Sequence, residues 1–222
     1  MKHSFSDLFL KPDLFFQDLV TKKESLGRPA LIILAAGIAA AVYAYLVVGL
    51  TARMIAGIMP GMETIIILST AIGALFSTFV FWILWAGVIF ALSWVFKGKG
   101  SFKRTMEIVG YGYLPQIFGI LITCIVAFFY IPHVHVPELT AAAVQDPQVI
   151  QETTKAFMHD PAMLALTQIT AVVSIAFFLW SANIWIFGLK HARTISLRDA
   201  AICIGVPVVG YSIYILSMMT VI

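Results

Sequence analysis

The chain alternates long apolar runs with short polar gaps. Five of the runs are long enough for a helix that crosses a hydrocarbon core, which takes about 20 residues. They predict spans at residues 29–52, 65–96, 105–131, 162–189 and 198–221. The pattern therefore predicts an all-α fold, a polytopic transmembrane bundle of five helices that forms one domain over residues 29–222.

The segment before the first run, residues 1–28, has a different pattern. Pro12 suits the first turn of a helix. Apolar residues then recur at helical spacing, with polar residues between them: Leu14, Phe15, Phe16, Leu19 and Val20. A helix of this kind lies along the membrane interface or against the bundle. We expect an amphipathic interfacial helix on a cytoplasmic segment; a helix that binds a groove on a partner protein is the alternative.

The basic residues are distributed unevenly over the polar gaps. Of the 14 Lys and Arg residues, five lie in residues 1–28, four in 97–104 and three in 190–198, whereas 53–64 and 132–161 hold one each. Cytoplasmic loops collect positive charge. The count therefore predicts that the amino terminus is inside and the carboxyl terminus outside, with 132–161 as an external loop.

Composition excludes a water-soluble domain. Hydrophobic residues make up 61% of the chain and charged residues 11%, whereas soluble domains carry about a quarter charged residues. The net charge of +3 is too small to indicate a nucleic-acid partner. Cys124 and Cys203 lie inside apolar runs without a Cys or His neighbour, so they indicate neither a disulfide nor a metal site. No cofactor is expected.

The gap at 97–104 is the most basic stretch between two spans. Cations at an inner membrane surface attract anionic headgroups by about 1 kcal/mol each. Glu107 follows one turn after Lys103 and Arg104, and we expect it to form an ion pair with them on the helix surface. The candidate contacts for lipid or a partner are Lys97, Lys99, Lys103, Arg104, Lys190 and Arg193.

The third span opens on an irregular stretch. Pro115 removes a backbone donor and bends the helix, and Gly110 and Gly112 thin it on one side. Such a kink is structural, or it forms a hinge or the wall of a cavity. The candidate cavity or hinge residues are Gly110, Tyr111, Gly112, Tyr113, Pro115, Gln116 and Asn183. The amides of Gln116 and Asn183 are expected to hydrogen-bond between helices.

The external loop contains two Asp-Pro pairs, each typical of a helix start. Asp146 is expected to begin a short helix that ends near Met158, and Asp160 to begin span four. The loop also holds three histidines beside these acids: His133, His135 and His159. A zinc site needs three or four converging ligands, and nothing fixes a third here. A solvated loop is favoured, and metal binding stays open.

Small residues recur at intervals of four on the first two spans. They are Ala36, Ala40 and Ala44 on span one, and Ser69, Gly73 and Ser77 on span two. Small residues let helix backbones approach closely in lipid. We therefore expect spans one and two to pack through these ridges, although a homodimer would use the same surfaces.

Several motifs, in their order along the chain, resemble the Yip1 domain family of polytopic membrane proteins. They are residues 11–16 (KPDLFF), 98–102 (GKGSF), 110–115 (GYGYLP) and 188–193 (GLKHAR), followed by Ser196, Ala200, Ala201 and Pro207. The resemblance covers most of the chain. It implies a cytoplasmic amino terminus and five helices, which the charge count indicates independently.

Eukaryotic members of that family act in vesicle traffic between endoplasmic reticulum and Golgi and associate with prenylated Rab GTPases. This chain has a short amino-terminal segment and no counterpart of their Asp-Leu-Tyr-Gly-Pro motif. It is more similar to the short prokaryotic members, which implies a prokaryotic cell membrane. Rab binding is therefore not carried over.

Three functions remain after these observations. The first is a non-enzymatic protein that organises membrane lipids or partner membrane proteins through its basic face. The second is a small transporter, or a lipid-binding or lipid-moving protein, with a cavity between spans two, three and four lined by Tyr111, Tyr113, Gln116 and Asn183. The third, an intramembrane enzyme, lacks the HExxH and GxSxG motifs and paired aspartates in spans.

Overall fold

The computed structural model describes residues 5–140 and 145–221. Within these residues the chain forms nine α-helices, one 3₁₀ turn at Ile131–His133 and no strand. The helices are α1 (Phe5–Leu10), α2 (Pro12–Val20), α3 (Gly27–Met54), α4 (Glu63–Val95), α5 (Phe102–Gly112), α6 (Leu114–Tyr130), α7 (Pro147–Met158), α8 (Pro161–Arg193) and α9 (Leu197–Val221).

Five helical segments in the described part are long and apolar enough to cross a membrane: Gly27–Met54, Glu63–Val95, Phe102–His133, Pro161–Arg193 and Leu197–Ser217. The third combines α5, α6 and the 3₁₀ turn. The prediction of an all-helical protein with five candidate spans is confirmed. Which side of the membrane each end occupies stays a prediction.

Two of the helix starts follow the expected capping chemistry. Asp146 Oδ1 accepts a hydrogen bond from Gln148 N at 2.9 Å, and α7 runs to Met158. Asp160 Oδ1 accepts from the amides of Ala162 and Met163, both at 3.0 Å, and begins α8. Both helix starts were predicted from sequence and are confirmed, because N-caps depend on residues within one turn.

Helices α3 and α4 pack against each other, but not through the ridges expected from sequence. The close approach is at Gly37, where an added Cβ would lie 3.1 Å from the carbonyl oxygen of Leu75. On α4, an added Cβ at Gly73 would meet open space, and Ser69 is exposed. The predicted close packing of these two spans is therefore confirmed, but Ser69 and Gly73 of the expected ridge on α4 lie outside the contact, and the backbones approach at Gly37 instead.

The main core lies at the end of the bundle that carries the basic turns. Helix α2 is buried there against α5 and α8 through Phe15 and Phe16, which are 1% and 0% exposed. The Phe15 ring meets that of Tyr111 at 5.4 Å between centroids. At the opposite end of the bundle, a smaller core is formed by Leu50, Met54, Leu139 and Phe157.

Large apolar side chains cover the outside of the bundle. On α4 alone, Ile72, Phe76 and Phe81 are between 55% and 64% exposed. Apolar surface of this extent marks contact with a membrane or a partner rather than with water. The outward faces of the spans therefore have the chemistry expected for contact with lipid.

Candidate functional site at the basic face

One buried arginine organises the turn between α4 and α5. Arg193, at the end of α8, is 1% exposed. Its Nε donates to Ser93 Oγ at 2.8 Å, its Nη2 to the Gly98 carbonyl at 2.7 Å, and its Nη1 to the Gly100 carbonyl. The guanidinium carbon lies 4.2 Å from the centre of the Phe90 ring. Within the described residues no carboxylate contacts this cation, so backbone dipoles and an aromatic face stabilise it.

Two glycines let the turn close on α8. Gly100 has φ +118°, and an added Cβ would overlap the Ala192 carbonyl oxygen. An added Cβ at Gly98 would lie 2.9 Å from the Ser93 carbonyl oxygen. The main chain of the next residue is held as well, because Lys99 N donates to Arg193 O at 2.8 Å. The turn is thus rigid through its backbone.

Three exposed lysines lie on this turn or in the first turn of α5 that follows it. Lys97, Lys99 and Lys103 are exposed, and in the described part of the chain none makes an ion pair or a side-chain hydrogen bond. Lys97 adopts φ +55°. Trp94 and Val95, 64% and 74% exposed, lie next to them at the end of α4. This surface, which we call the lysine turn, combines free positive charge with exposed apolar side chains.

Arg104 is enclosed, unlike these lysines. It is 6% exposed and donates to the carbonyls of Leu19, at 3.2 Å, and Lys22. It also forms an ion pair with Glu107. The pair was expected on the helix surface, with Lys103 as a further partner, but it is buried, because residues 19–25 cover it and Ser25 N donates to Glu107 Oε1 at 3.3 Å.

Asp13 fixes α2 to the last turns of α8. Its Oδ1 accepts from Lys190 Nζ at 2.7 Å and lies 2.6 Å from His191 Nε2. The hydrogen bond from Lys190 lowers the pKa of Asp13, burial opposes this, and His191 lowers the pKa further. Of the six cations expected at the membrane surface, Lys190 is therefore paired and Arg104 and Arg193 are buried in structural roles.

The glycines of the third span accommodate tryptophan. An added Cβ at Gly112 would overlap the indole nitrogen of Trp185, and one at Gly110 would overlap Pro29. Tyr113 N donates to Gly110 O at 3.2 Å, while Trp185 Nε1 donates to the Val109 carbonyl at 2.9 Å. The indole thus satisfies a backbone acceptor where α5 passes into α6. Gly110 and Gly112 act as sites of close packing.

Behind this junction lies a cavity of about 330 Å³. Of the residues expected to form a cavity, Tyr113 and Gln116 line it. Tyr111 is buried against Phe15 instead, and Asn183 is on the exposed surface of α8. The cavity touches all five spans, not only spans two to four. Gln116 Nε2 donates to Ser181 Oγ at 3.1 Å, which confirms the interhelical hydrogen bond expected for this amide.

Two of the three loop histidines place a ring nitrogen against a backbone carbonyl one helical turn earlier in the chain. His133 Nδ1 lies 3.0 Å from the Phe129 carbonyl, and His159 Nδ1 lies 2.9 Å from the Lys155 carbonyl. His135 N donates to Asp160 Oδ2 at 3.2 Å. No group of three or more His, Cys, Asp or Glu residues converges within residues 5–140 and 145–221.

Sequence reasoning missed three residues that shape these sites. Ser93 is 0% exposed, and its Oγ accepts a hydrogen bond from Arg193 Nε and donates to the Phe90 carbonyl at 2.6 Å. Asp13 anchors α2, and Trp185 closes the α5–α6 junction. A lone serine at the end of an apolar span was the available signal for Ser93. The other two depend on partners 177 and 76 residues away.

Comparison with known proteins agrees with this architecture. The Yip1 domain matches residues 6–219, nearly the whole chain. The chain belongs to the Yip1 domain family. This Yip1 domain protein is also similar to an uncharacterized protein of the archaeon Methanocaldococcus jannaschii, with 41% identity over 122 residues, 53% of this chain and 84% of the relative. No solved structure matches the chain.

Several motifs that resemble the Yip1 domain family lie at the sites described above. The GKGSF motif of this Yip1 domain protein forms the lysine turn, and the GLKHAR motif supplies Arg193, which binds that turn. The GYGYLP motif provides the α5–α6 junction. The GKGSF and GLKHAR motifs are thus joined by direct contacts, and the KPDLFF motif meets GYGYLP through the rings of Phe15 and Tyr111.

Proposed function

We propose that this Yip1 domain protein is a non-enzymatic organiser of membrane lipids or partner membrane proteins in a prokaryotic cell membrane. It acts through the lysine turn, on the face that the charge count predicts to be cytoplasmic. The supporting observation is the contrast among the basic residues. Arg104 and Arg193 are enclosed, whereas Lys97, Lys99 and Lys103 are exposed on or directly beside the turn whose carbonyls Arg193 binds.

The exposed lysines of the lysine turn favour binding to an anionic membrane surface. The three ammonium groups need not leave other partners before they meet a headgroup, and each contributes about 1 kcal/mol near an anionic membrane. Exposed Trp94 suits the level of the headgroups, where tryptophan is enriched. Partner proteins with acidic segments next to a membrane span would find the same charge.

The test measures which lipids stay with the protein. Full-length protein is reconstituted in vesicles of equal phosphatidylglycerol and phosphatidylcholine, and the lipids retained after purification are quantified by mass spectrometry. The triple variant Lys97→Gln, Lys99→Gln, Lys103→Gln should lower the retained ratio of phosphatidylglycerol, by about fivefold for each lysine that contacts one headgroup.

A matched control removes cations from the opposite end of the bundle. Arg53 and Lys155 are both exposed there, and the Arg53→Gln, Lys155→Gln variant should retain the wild-type ratio. An equal loss in both variants would show a response to net charge alone. No loss in the triple variant would remove the proposed role of the lysine turn.

A further inference from the structure

The cavity behind the α5–α6 junction is lined by residues from all five spans. Their side chains are largely aromatic and none is charged: Ala36, Thr78, Phe81, Trp85, Tyr113, Gln116, Ile120, Ser174, Phe178, Trp185 and Tyr211. Its volume of about 330 Å³ is within the range of small-molecule sites. At about 30 Å³ for each water-sized group, it holds roughly ten such groups.

The lining restricts the charge of a ligand. An ion moved from water into an apolar site without a partner carries a large free-energy cost. The cavity offers no acid or base to compensate a charge, and its walls are rings in mutual contact. Trp85 and Trp185 lie 5.7 Å apart between centroids, and Phe178 meets Trp85 at 5.4 Å and Tyr211 at 4.9 Å. A ligand of this site is therefore uncharged and mostly apolar.

One wall residue has an unused polar atom. Trp82 Nε1 donates to the Met106 carbonyl, and Trp185 Nε1 to that of Val109, both at 2.9 Å. Trp85 Nε1 is also buried, but no group in the described part of the chain accepts from it. A buried donor without a partner costs about 1–3 kcal/mol. Since Trp85 lines the cavity, an acceptor oxygen held there would lie beside this indole.

The cavity is bordered by residues that face outward. Phe81 on α4 and Tyr211 on α9 both line it, and they are 63% and 46% exposed on the surface of the bundle. The same two side chains thus connect the cavity to the lipid-facing side between α4 and α9. This side of the bundle faces the bilayer, where uncharged apolar molecules are dissolved.

We propose that this cavity binds one chain of an uncharged, membrane-dissolved lipid that carries one acceptor group for Trp85, such as an ester carbonyl or an ether oxygen. The observations behind it are the uncharged aromatic lining, the unpartnered indole donor and the connection to the lipid face. It is independent of the lysine turn, so either proposal can fail alone.

The experiment uses the full chain in phosphatidylcholine nanodiscs with a photoactivatable fatty acid methyl ester, its diazirine placed near the carbonyl. Labelled peptides are mapped by mass spectrometry, with and without an excess of unlabelled methyl ester. We expect competed labelling on the segments around Trp85, Tyr113 and Tyr211. Labelling spread evenly over the outward faces, without competition, would overturn the proposal.

Two variants separate cavity binding from general partitioning. Ser174→Leu fills the cavity and should reduce competed labelling at least tenfold. Ser69→Leu, the same change at an exposed position of α4, should leave it unchanged. Equal labelling of the two variants would contradict a site in the cavity.

Trp85→Phe tests the acceptor oxygen, because it keeps the ring and removes the N–H group. Its affinity for the ester should fall between about twofold and tenfold, the effect of one hydrogen bond. Its affinity for a photoactivatable alkane of equal length should not change. An equal loss for both probes, or a loss for neither, would overturn the assignment of Trp85 as the donor.

Discussion

Replacement of Arg193 by Leu should loosen the lysine turn while the spans stay folded. The variant removes three hydrogen bonds, to Ser93 Oγ and to the carbonyls of Gly98 and Gly100, together with the contact to the Phe90 ring. It leaves two backbone acceptors without their donor. The main-chain bond from Lys99 N to Arg193 O remains possible and keeps the turn near α8.

The magnitude follows from opposing contributions. Hydrogen bonds from a charged donor contribute about 1.5–3 kcal/mol each, and a desolvated cation–π contact contributes about 2 kcal/mol. Removal of the guanidinium group from water offsets several kcal/mol of this. Leucine leaves no charge behind, only carbonyls without their donor, and each such carbonyl costs about 1–3 kcal/mol when buried. We expect a net loss of about 3 kcal/mol, because Gly100 is exposed to solvent and its carbonyl can meet water instead.

Hydrogen exchange measures this loss locally. The amides of Gly98 and Lys99 are both hydrogen-bonded, at 2.9 and 2.8 Å, and therefore report opening of the turn. A loss of about 3 kcal/mol corresponds to roughly 100-fold faster exchange. Arg193→Lys keeps the charge but not the fork of donors, so it should recover about half of the protection.

Arg198→Leu is the matched control, since Arg198 is exposed at the same end of the bundle. It should leave exchange at the turn unchanged. Wild-type exchange of Gly98 and Lys99 in Arg193→Leu would refute the reasoning, because the turn would then be held by its glycine geometry alone.

Three further substitutions test other contacts. Gly112→Ala should lower the free energy of unfolding by about 1–3 kcal/mol, measured as a lower midpoint of thermal unfolding, because Trp185 cannot shift without losing its hydrogen bond. The double variant with Trp185→Phe should recover part of the lost stability. Asp160→Ala removes the cap of α8 and should cost about 1 kcal/mol in the same measurement. Asp13 has a pKa below 3.8 because of Lys190, so its contribution is complete above that value and disappears as pH falls through the lowered pKa. Thermal midpoints from about pH 5 to 2 should show this loss in wild type and not in Asp13→Asn; identical profiles would contradict it.

The sequence was most informative where structure depends on local chemistry. Apolar runs of sufficient length predicted five candidate spans, and the Asp-Pro pairs at Asp146 and Asp160 predicted two helix starts. The basic gap was recognised as a unit, but charge counting does not distinguish an exposed lysine from an enclosed arginine. That distinction between Lys99 and Arg193 depends on Ser93 and the glycine carbonyls, which are close only in the folded chain.

The cavity was less predictable for the same reason. A kinked span predicted a structural bend, a hinge or a cavity wall near Tyr113 without deciding among them, and this tyrosine does line a cavity. Its other walls come from α3, α4, α8 and α9, so their register cannot be obtained from one helix pattern. Trp85 and Trp185 lie on different spans and look alike in sequence. Within residues 5–140 and 145–221, however, the indole donor of Trp185 has an acceptor and that of Trp85 has none.

The attachment of α2 has a consequence for biosynthesis. Asp13 and its partner Lys190 are 177 residues apart, so the part of the docking surface that α8 provides is made long after α2 itself. At about 5–20 residues per second, translation leaves α2 without that surface for roughly 9–35 s. During this interval no α8 exists to cover Phe16, and Phe15 can meet Tyr111 only once α5 has been made. Until then the membrane surface or a chaperone has to shield both aromatic rings.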